Sequence, residues 1–161
     1  MFDYAATARN NDTATPRENH SATARPGSDI SRWLSRAKSV RLGCVKRVVV
    51  IEDHFDTADL MREVLVAAGH EVTTAGTGAD GIAAVRRMAP DVVLCDVGLP
   101  DIDGYAVARA LRAEPATSKV RLIALTGYDG DEERRRAAEA GFDLHVVKPI
   151  DPFALEDLLA P

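Results

Sequence analysis

Five short apolar runs, each followed by a segment with helical spacing, constrain the fold of this chain more than any other feature. The runs are RVVVI (47–51), EVTTA (71–75), DVVLC (91–95), RLIALT (121–126) and FDLHVV (142–147). They have the length and aliphatic content of strands in a parallel sheet, several of them with no alternation, as suits burial on both faces. After the first, Leu60, Met61, Val64, Leu65 and Ala68 mark one face of a helix that Gly69 ends. After the second, a helix over 78–88 behind a Thr77 cap turns Ile82, Ala83 and Val85 inward. Further helices are expected at 104–113, at 131–140 and at 152–159, the last capped by Asp151 and opened by Pro152. Five βα units in about 115 residues predict an α/β fold: a doubly wound, five-stranded parallel sheet with helices on both faces and right-handed crossovers.

In such sheets the functional groups gather where the strands end. The first run ends in Glu52-Asp53, the third in Asp96, the fourth in Thr126-Gly127 and the fifth in Lys148-Pro149. A carboxylate that closes an unbroken apolar run is expensive unless it serves a site at the sheet's rim. Three carboxylates brought together repel one another and favour a hard divalent cation with oxygen ligands, which makes Mg²⁺ the expected cofactor. Lys148 supplies a point charge for a phosphoryl group, and a carboxylate beside the cation and the lysine can itself be the nucleophile of an acyl phosphate.

The segment before the first strand has a different composition. Residues 1–29 are rich in Ala, Thr, Asn, Arg and Pro and almost lack large aliphatic side chains, the composition of a disordered arm. Through residue 43 the arm holds seven Lys/Arg against four acids, or +3, which leaves −8 of the net −5 on the remainder. Within it, SDISRWLSRAKSV (28–40) sets Ile30, Trp33, Leu34 and Ala37 at helical spacing behind Ser28 or Asp29, with basic residues on the other face. The division expected is an arm over 1–45, disordered or partly helical, and a domain over 46–161.

The net charge and a pI near 5.4 argue against nucleic acid as a partner. No apolar stretch suits a membrane span or a signal peptide, so no membrane partner is expected and the cytoplasm is the expected location. Cys44 and Cys95 match no metal or redox spacing. Asp101 and Asp103 are expected as loop and cap residues, and Arg134-Arg135-Arg136 behind Asp131-Glu132-Glu133 as a solvated, ion-paired helix face.

The acidic pair Glu52-Asp53, the segment DVGLPDIDGY with Asp96, ALTGY with Thr126, and VVKP with Lys148 occur in the order and spacing of a known family. Residues 46–160 resemble a response-regulator receiver domain of two-component signalling, of the stand-alone, chemotaxis-regulator-like kind. The resemblance implies the flavodoxin-like strand order 2-1-3-4-5 and a phosphoacceptor switch. Asp96 would take a phosphoryl group from a sensor histidine kinase or histidine phosphotransfer protein, with Thr126 and Lys148 binding its oxygens. It further implies Mg²⁺ on Asp53, Asp96 and the backbone carbonyl of Gly98, with Glu52 acting through water, and a cis Lys148–Pro149 bond. The protein would then be no enzyme apart from its own phosphorylation and dephosphorylation. The residues after the last expected helix leave no room for an output domain, so an unnamed output protein is the expected reader.

Two departures stand out. Glu52 replaces the commoner Asp, and His145 stands where many receivers carry a Tyr or Phe that turns inward as Thr126 moves. Two other readings remain open: a Mg²⁺-dependent phosphatase or phosphoesterase with an aspartyl nucleophile, or a receiver-like module that no longer accepts phosphate. The former usually carries Asp where this chain has Gly98, and the latter sits poorly with a complete set of residues.

Overall fold

A computed structural model describes residues 45–151 and 154–159. Strands β1 (Arg47–Ile51), β2 (Glu71–Ala75), β3 (Val92–Asp96), β4 (Arg121–Thr126) and β5 (Leu144–Val147) alternate with helices α1 (Phe55–Ala67), α2 (Gly78–Met88), α3 (Gly104–Ala113), α4 (Asp131–Ala140) and α5 (Leu155–Leu159). All strand pairs are parallel, in the order β2-β1-β3-β4-β5. This is the expected doubly wound sheet.

Strand alternation divides the interior in two. Val49, Ile51, Val93, Cys95, Leu122 and Ala124 face α2, α3 and α4, where they meet Val85, Val107, Leu111, Ala137 and Phe142. Val48, Val50, Val92, Leu94, Ile123 and Leu125 face α1 and α5 and pack on Met61, Leu65, Leu155 and Leu159. Central β3 is buried along its whole length, whereas every residue of the edge strand β5 is half-buried. The uninterrupted run VVLC follows from this, since a central strand with helices on both sides has no wet face.

Local signals act where expected. Gly69 (φ 99°) closes α1 in the left-handed conformation, with its own amide on Val66 O and that of His70 on Leu65 O. Thr77 Oγ1 accepts the Asp80 amide at 3.1 Å at the start of α2. Asp103 caps α3 by accepting the Ala106 amide at 2.7 Å. Asp101 caps a different helix from the one it precedes: its carboxylate takes the Gly78 and Ala79 amides of α2 at 2.8 and 2.9 Å, and these bonds hold its pKa below the ordinary value.

Two expectations need correction. Leu60 is 48% exposed, because α1 rests on the sheet through Ala58, Met61 and Leu65, with Val64 half-buried beside them. Ala83 is exposed and Ala84 is buried in its place; two positions from Val85 is about 200° round a helix, which turns Ala83 away from the sheet. The last helix is described over Leu155–Leu159, with the Ala154 amide donating to Asp151 O just before it. Pro152, Cys44 and the 28–40 segment lie outside the described residues. Arg134 and Arg135 make expected ion pairs, at 3.8 Å with Asp131 and at 2.8 Å with Glu132, but Arg134 also pairs with Asp129 and Arg136 lies over the Tyr105 ring, 4.8 Å from its centre.

Candidate functional site

Strand register sets the chemistry side by side. Ile51 pairs with Cys95, so Glu52 and Asp96 leave neighbouring strands at one level; Thr126 pairs with Val147, and Lys148 follows. Thr126 O accepts the Lys148 amide at 2.7 Å, and the Lys148–Pro149 bond is cis, as expected. Glu52 is 2% exposed, Thr126 3% and Asp96 8%. Carboxylates buried this far need partners. Lys148 Nζ provides one to both, 2.6 Å from Glu52 Oε2 and 3.1 Å from Asp96 Oδ2. Partial burial works against the charge on this ammonium, but the hydrogen bonds to Glu52 and then to Asp96 outweigh it and hold its pKa above the ordinary lysine value.

The other oxygen of Asp96, Oδ1, accepts the Gly98 amide at 3.1 Å, so the carboxylate is held at both ends. The turn behind it leaves no space for a side chain on Gly104: a Cβ there would lie 2.4 Å from the Asp96 backbone oxygen. Helix α3 therefore starts in contact with the backbone that presents Asp96. Thr126 Oγ1 accepts the Tyr128 amide at 3.2 Å, which ties the hydroxyl to the loop before α4, and Tyr128 is 75% exposed. His145 lies on β5 opposite Ala124, with its Nε2 buried and without a hydrogen-bond partner among the described residues. Burial pushes the Cys95 thiol pKa far up, so it is inert packing beside Asp96.

Asp53 points outward beside Glu52, with about a third of its side chain exposed. His54 joins them: its Nδ1 lies 3.3 Å from Asp53 Oδ1 and 3.8 Å from Glu52 Oε1, and one donor atom from each of the three residues falls within a 4.8 Å cluster. The residues thus present three carboxylates, at 52, 53 and 96, against one ammonium. That surplus of negative oxygen donors suits a hard divalent cation. The sequence reading missed His54 and Phe55, which is 78% exposed at the start of α1. A histidine in front of a helix resembles an ordinary cap, although it makes no side-chain cap bond here.

Parallel order 2-1-3-4-5 with acids, a hydroxyl and a lysine on its carboxyl edge defines a class, the phosphoacceptor switches of two-component signalling. The sequence model of the response regulator receiver domain matches residues 48–160, and the chain belongs to that family. Among solved structures it is similar to chemotaxis response regulator CheY4 of Vibrio cholerae, with 25% identity and a TM-score of 0.69 over 72% of this chain and 97% of that one. It is also similar to the receiver domain of sensor histidine kinase PA1611 of Pseudomonas aeruginosa, which has a magnesium ion coordinated in its active-site cleft; identity is 27% and the TM-score 0.66, over 72% and 95% of the two chains. Response regulator PleD of Caulobacter vibrioides is 34% identical over 109 residues, 68% of this chain and 24% of PleD. The chain spans between 24% and 47% of the length of the curated relatives that carry a regulator name. Among the described residues no helix is long and apolar enough to cross a membrane.

Proposed function

We propose that Asp96 is the phosphoacceptor, receiving its phosphoryl group from a sensor histidine kinase or histidine phosphotransfer protein in the cytoplasm and changing affinity for a separate output protein. The observation that carries this reading is the setting of Asp96. It is a nearly buried carboxylate at the end of the central strand, with one oxygen on the Gly98 amide and the other 3.1 Å from Lys148 Nζ. An Asp96 oxygen attacks phosphorus as the bond to the donor nitrogen breaks, and Lys148 stays with the transferred oxygens. Mg²⁺ would be held by the Asp53 and Asp96 carboxylates and the Gly98 carbonyl, with Glu52 reached through water, and would neutralise charge building on the phosphoryl oxygens.

The new group brings about −1.5 to −2 charges. Thr126 then exchanges its bond to Tyr128 for one to a phosphoryl oxygen, which pulls on loop 127–130 and shifts the face made by α4 and β5, His145 included, between two arrangements. Such a protein is a switch, and its only catalysis is its own phosphorylation and dephosphorylation.

Incubation with acetyl phosphate and Mg²⁺ is expected to add one phosphoryl group by mass, and Asp96→Asn to abolish the adduct. An adduct of unchanged stoichiometry on Asp96→Asn would place the acceptor elsewhere.

A further inference from the structure

Beside the site, and sharing Lys148 with it, lies a groove. Its volume is about 390 Å³, and it is lined by Thr57, Leu60 and Met61 of α1, by Lys148, Pro149 and Ile150 after β5, and by Leu155 of α5. Leu60 is 48% exposed on its wall. We infer that the groove is the docking site of this chain's own segment 28–40, whose Ile30, Trp33, Leu34 and Ala37 form one apolar stripe at helical spacing.

The tether fits. Lys46, just before β1, donates its ammonium to Leu159 O at the end of α5, so the chain enters the domain at the foot of the two helices that form the groove. From there a strand of five residues rises about 17 Å to the site, and a 13-residue helix is about 20 Å long, so the segment can run the height of the groove without a long linker. Charge fits as well. α1 carries Asp56, Asp59 and Glu63 against Arg62, and α5 carries Glu156 and Asp157, whereas residues 28–41 carry Arg32, Arg36, Lys38 and Arg41 against Asp29. Glu156 Oε1 is buried with no hydrogen-bond partner among the described residues, an acceptor for a guanidinium near the tether.

The chain's single tryptophan, Trp33, reports the docking directly in the full-length protein. Its emission is expected to be blue-shifted, and its acrylamide quenching several-fold weaker, relative to the urea-unfolded chain, at dilutions where light scattering shows a monomer. Leu60→Glu changes an exposed wall residue; it is expected to return both signals to the unfolded values while a cooperative thermal transition shows that the domain stays folded. Arg32→Glu with Arg36→Glu is expected to do the same in part. Wild-type emission already at the unfolded value, or protection that survives Leu60→Glu, would overturn the inference. Protection that appears only as concentration rises would overturn it in favour of a second copy as the occupant.

Discussion

Where the strands begin, Asp91 and Asp143 each have partners of their own. Asp91 accepts the Arg47 amide at 2.7 Å, and Asp143 accepts both the Leu122 amide and Arg112 Nη2 at 2.8 Å. Where the strands end, Glu52 and Asp96 share a single ammonium, and among the described residues Asp53 meets the neighbouring imidazole. The first edge is a set of closed staples, in which acids satisfy backbone donors and arginine holds loops together. The second keeps a surplus of negative charge beside one cation, which costs stability and leaves capacity for a metal ion and a phosphoryl group. Residue types alone do not separate the two; both edges are rich in Asp.

If this contrast holds, variants at the two edges should fail in different ways. Arg112 donates to Gly141 O at 2.8 Å, Ser118 O at 2.8 Å and Val120 O at 2.7 Å besides Asp143. Arg112→Ala strands several half-buried carbonyls and is expected to lower stability by about 2–3 kcal/mol in urea unfolding while leaving acetyl-phosphate labelling at one group per chain. A labelling defect in the folded variant would blur the distinction between the edges.

At the other edge the loss should fall on binding. Glu52→Gln is expected to weaken Mg²⁺ roughly tenfold, as neutralising a group that acts through water does, and Asp53→Asn to weaken it further as a direct ligand. Calorimetric titration giving the reverse order would mean that the buried carboxylate beside Lys148, and not the outward one, is the main ligand.

Thr126→Ala is a finer probe, because it leaves every carboxylate in place. Asp96 is expected to be labelled much as in the wild type, while most of the beryllofluoride-induced change in hydrogen exchange over 127–159 disappears. A full response would route the signal around the Thr126–Tyr128 bond.

The smallest effect is expected far from the site. His70, whose Nδ1 accepts the Lys46 amide at 3.2 Å, has its pKa lowered by burial, against which Glu156 acts more weakly. A folded-state pKa below the unfolded value means that the unfolded chain binds the proton first. The stability linked to His70 is therefore fully present above about pH 6.5 and lost as pH falls through the lower folded value. His70→Asn is expected to flatten the urea midpoint over roughly pH 5 to 7; an unchanged slope would assign that window to another group.

Much of this architecture was legible in residues 46–159 because its causes are local. An apolar run with no alternation must be a strand covered on both faces, as VVLC is, and Gly69 and Thr77 end and start helices through bonds within a few residues of themselves. Because functional groups collect at the carboxyl edge of any parallel sheet, listing the residues at or just after the end of each strand already picks out Glu52, Asp96, Thr126 and Lys148. What the residue order leaves open is which faces meet. Helix periodicity gives a stripe but not its width, so Leu60 and Ala83 were placed inward when contact with the sheet takes only a narrow strip of each helix. Asp101 is a cap by type, yet only packing decides that it caps the neighbouring α2. Likewise, Lys148 lies 96 residues from Glu52, and only strand register, which depends on every side chain along β1, β3, β4 and β5, brings that ammonium to 2.6 Å from Glu52 and 3.1 Å from Asp96. The sequence determined which charges stand at the edge of the sheet; the tertiary structure decided which of them share a partner, because burial and distance, and not residue type, set how strongly charges interact.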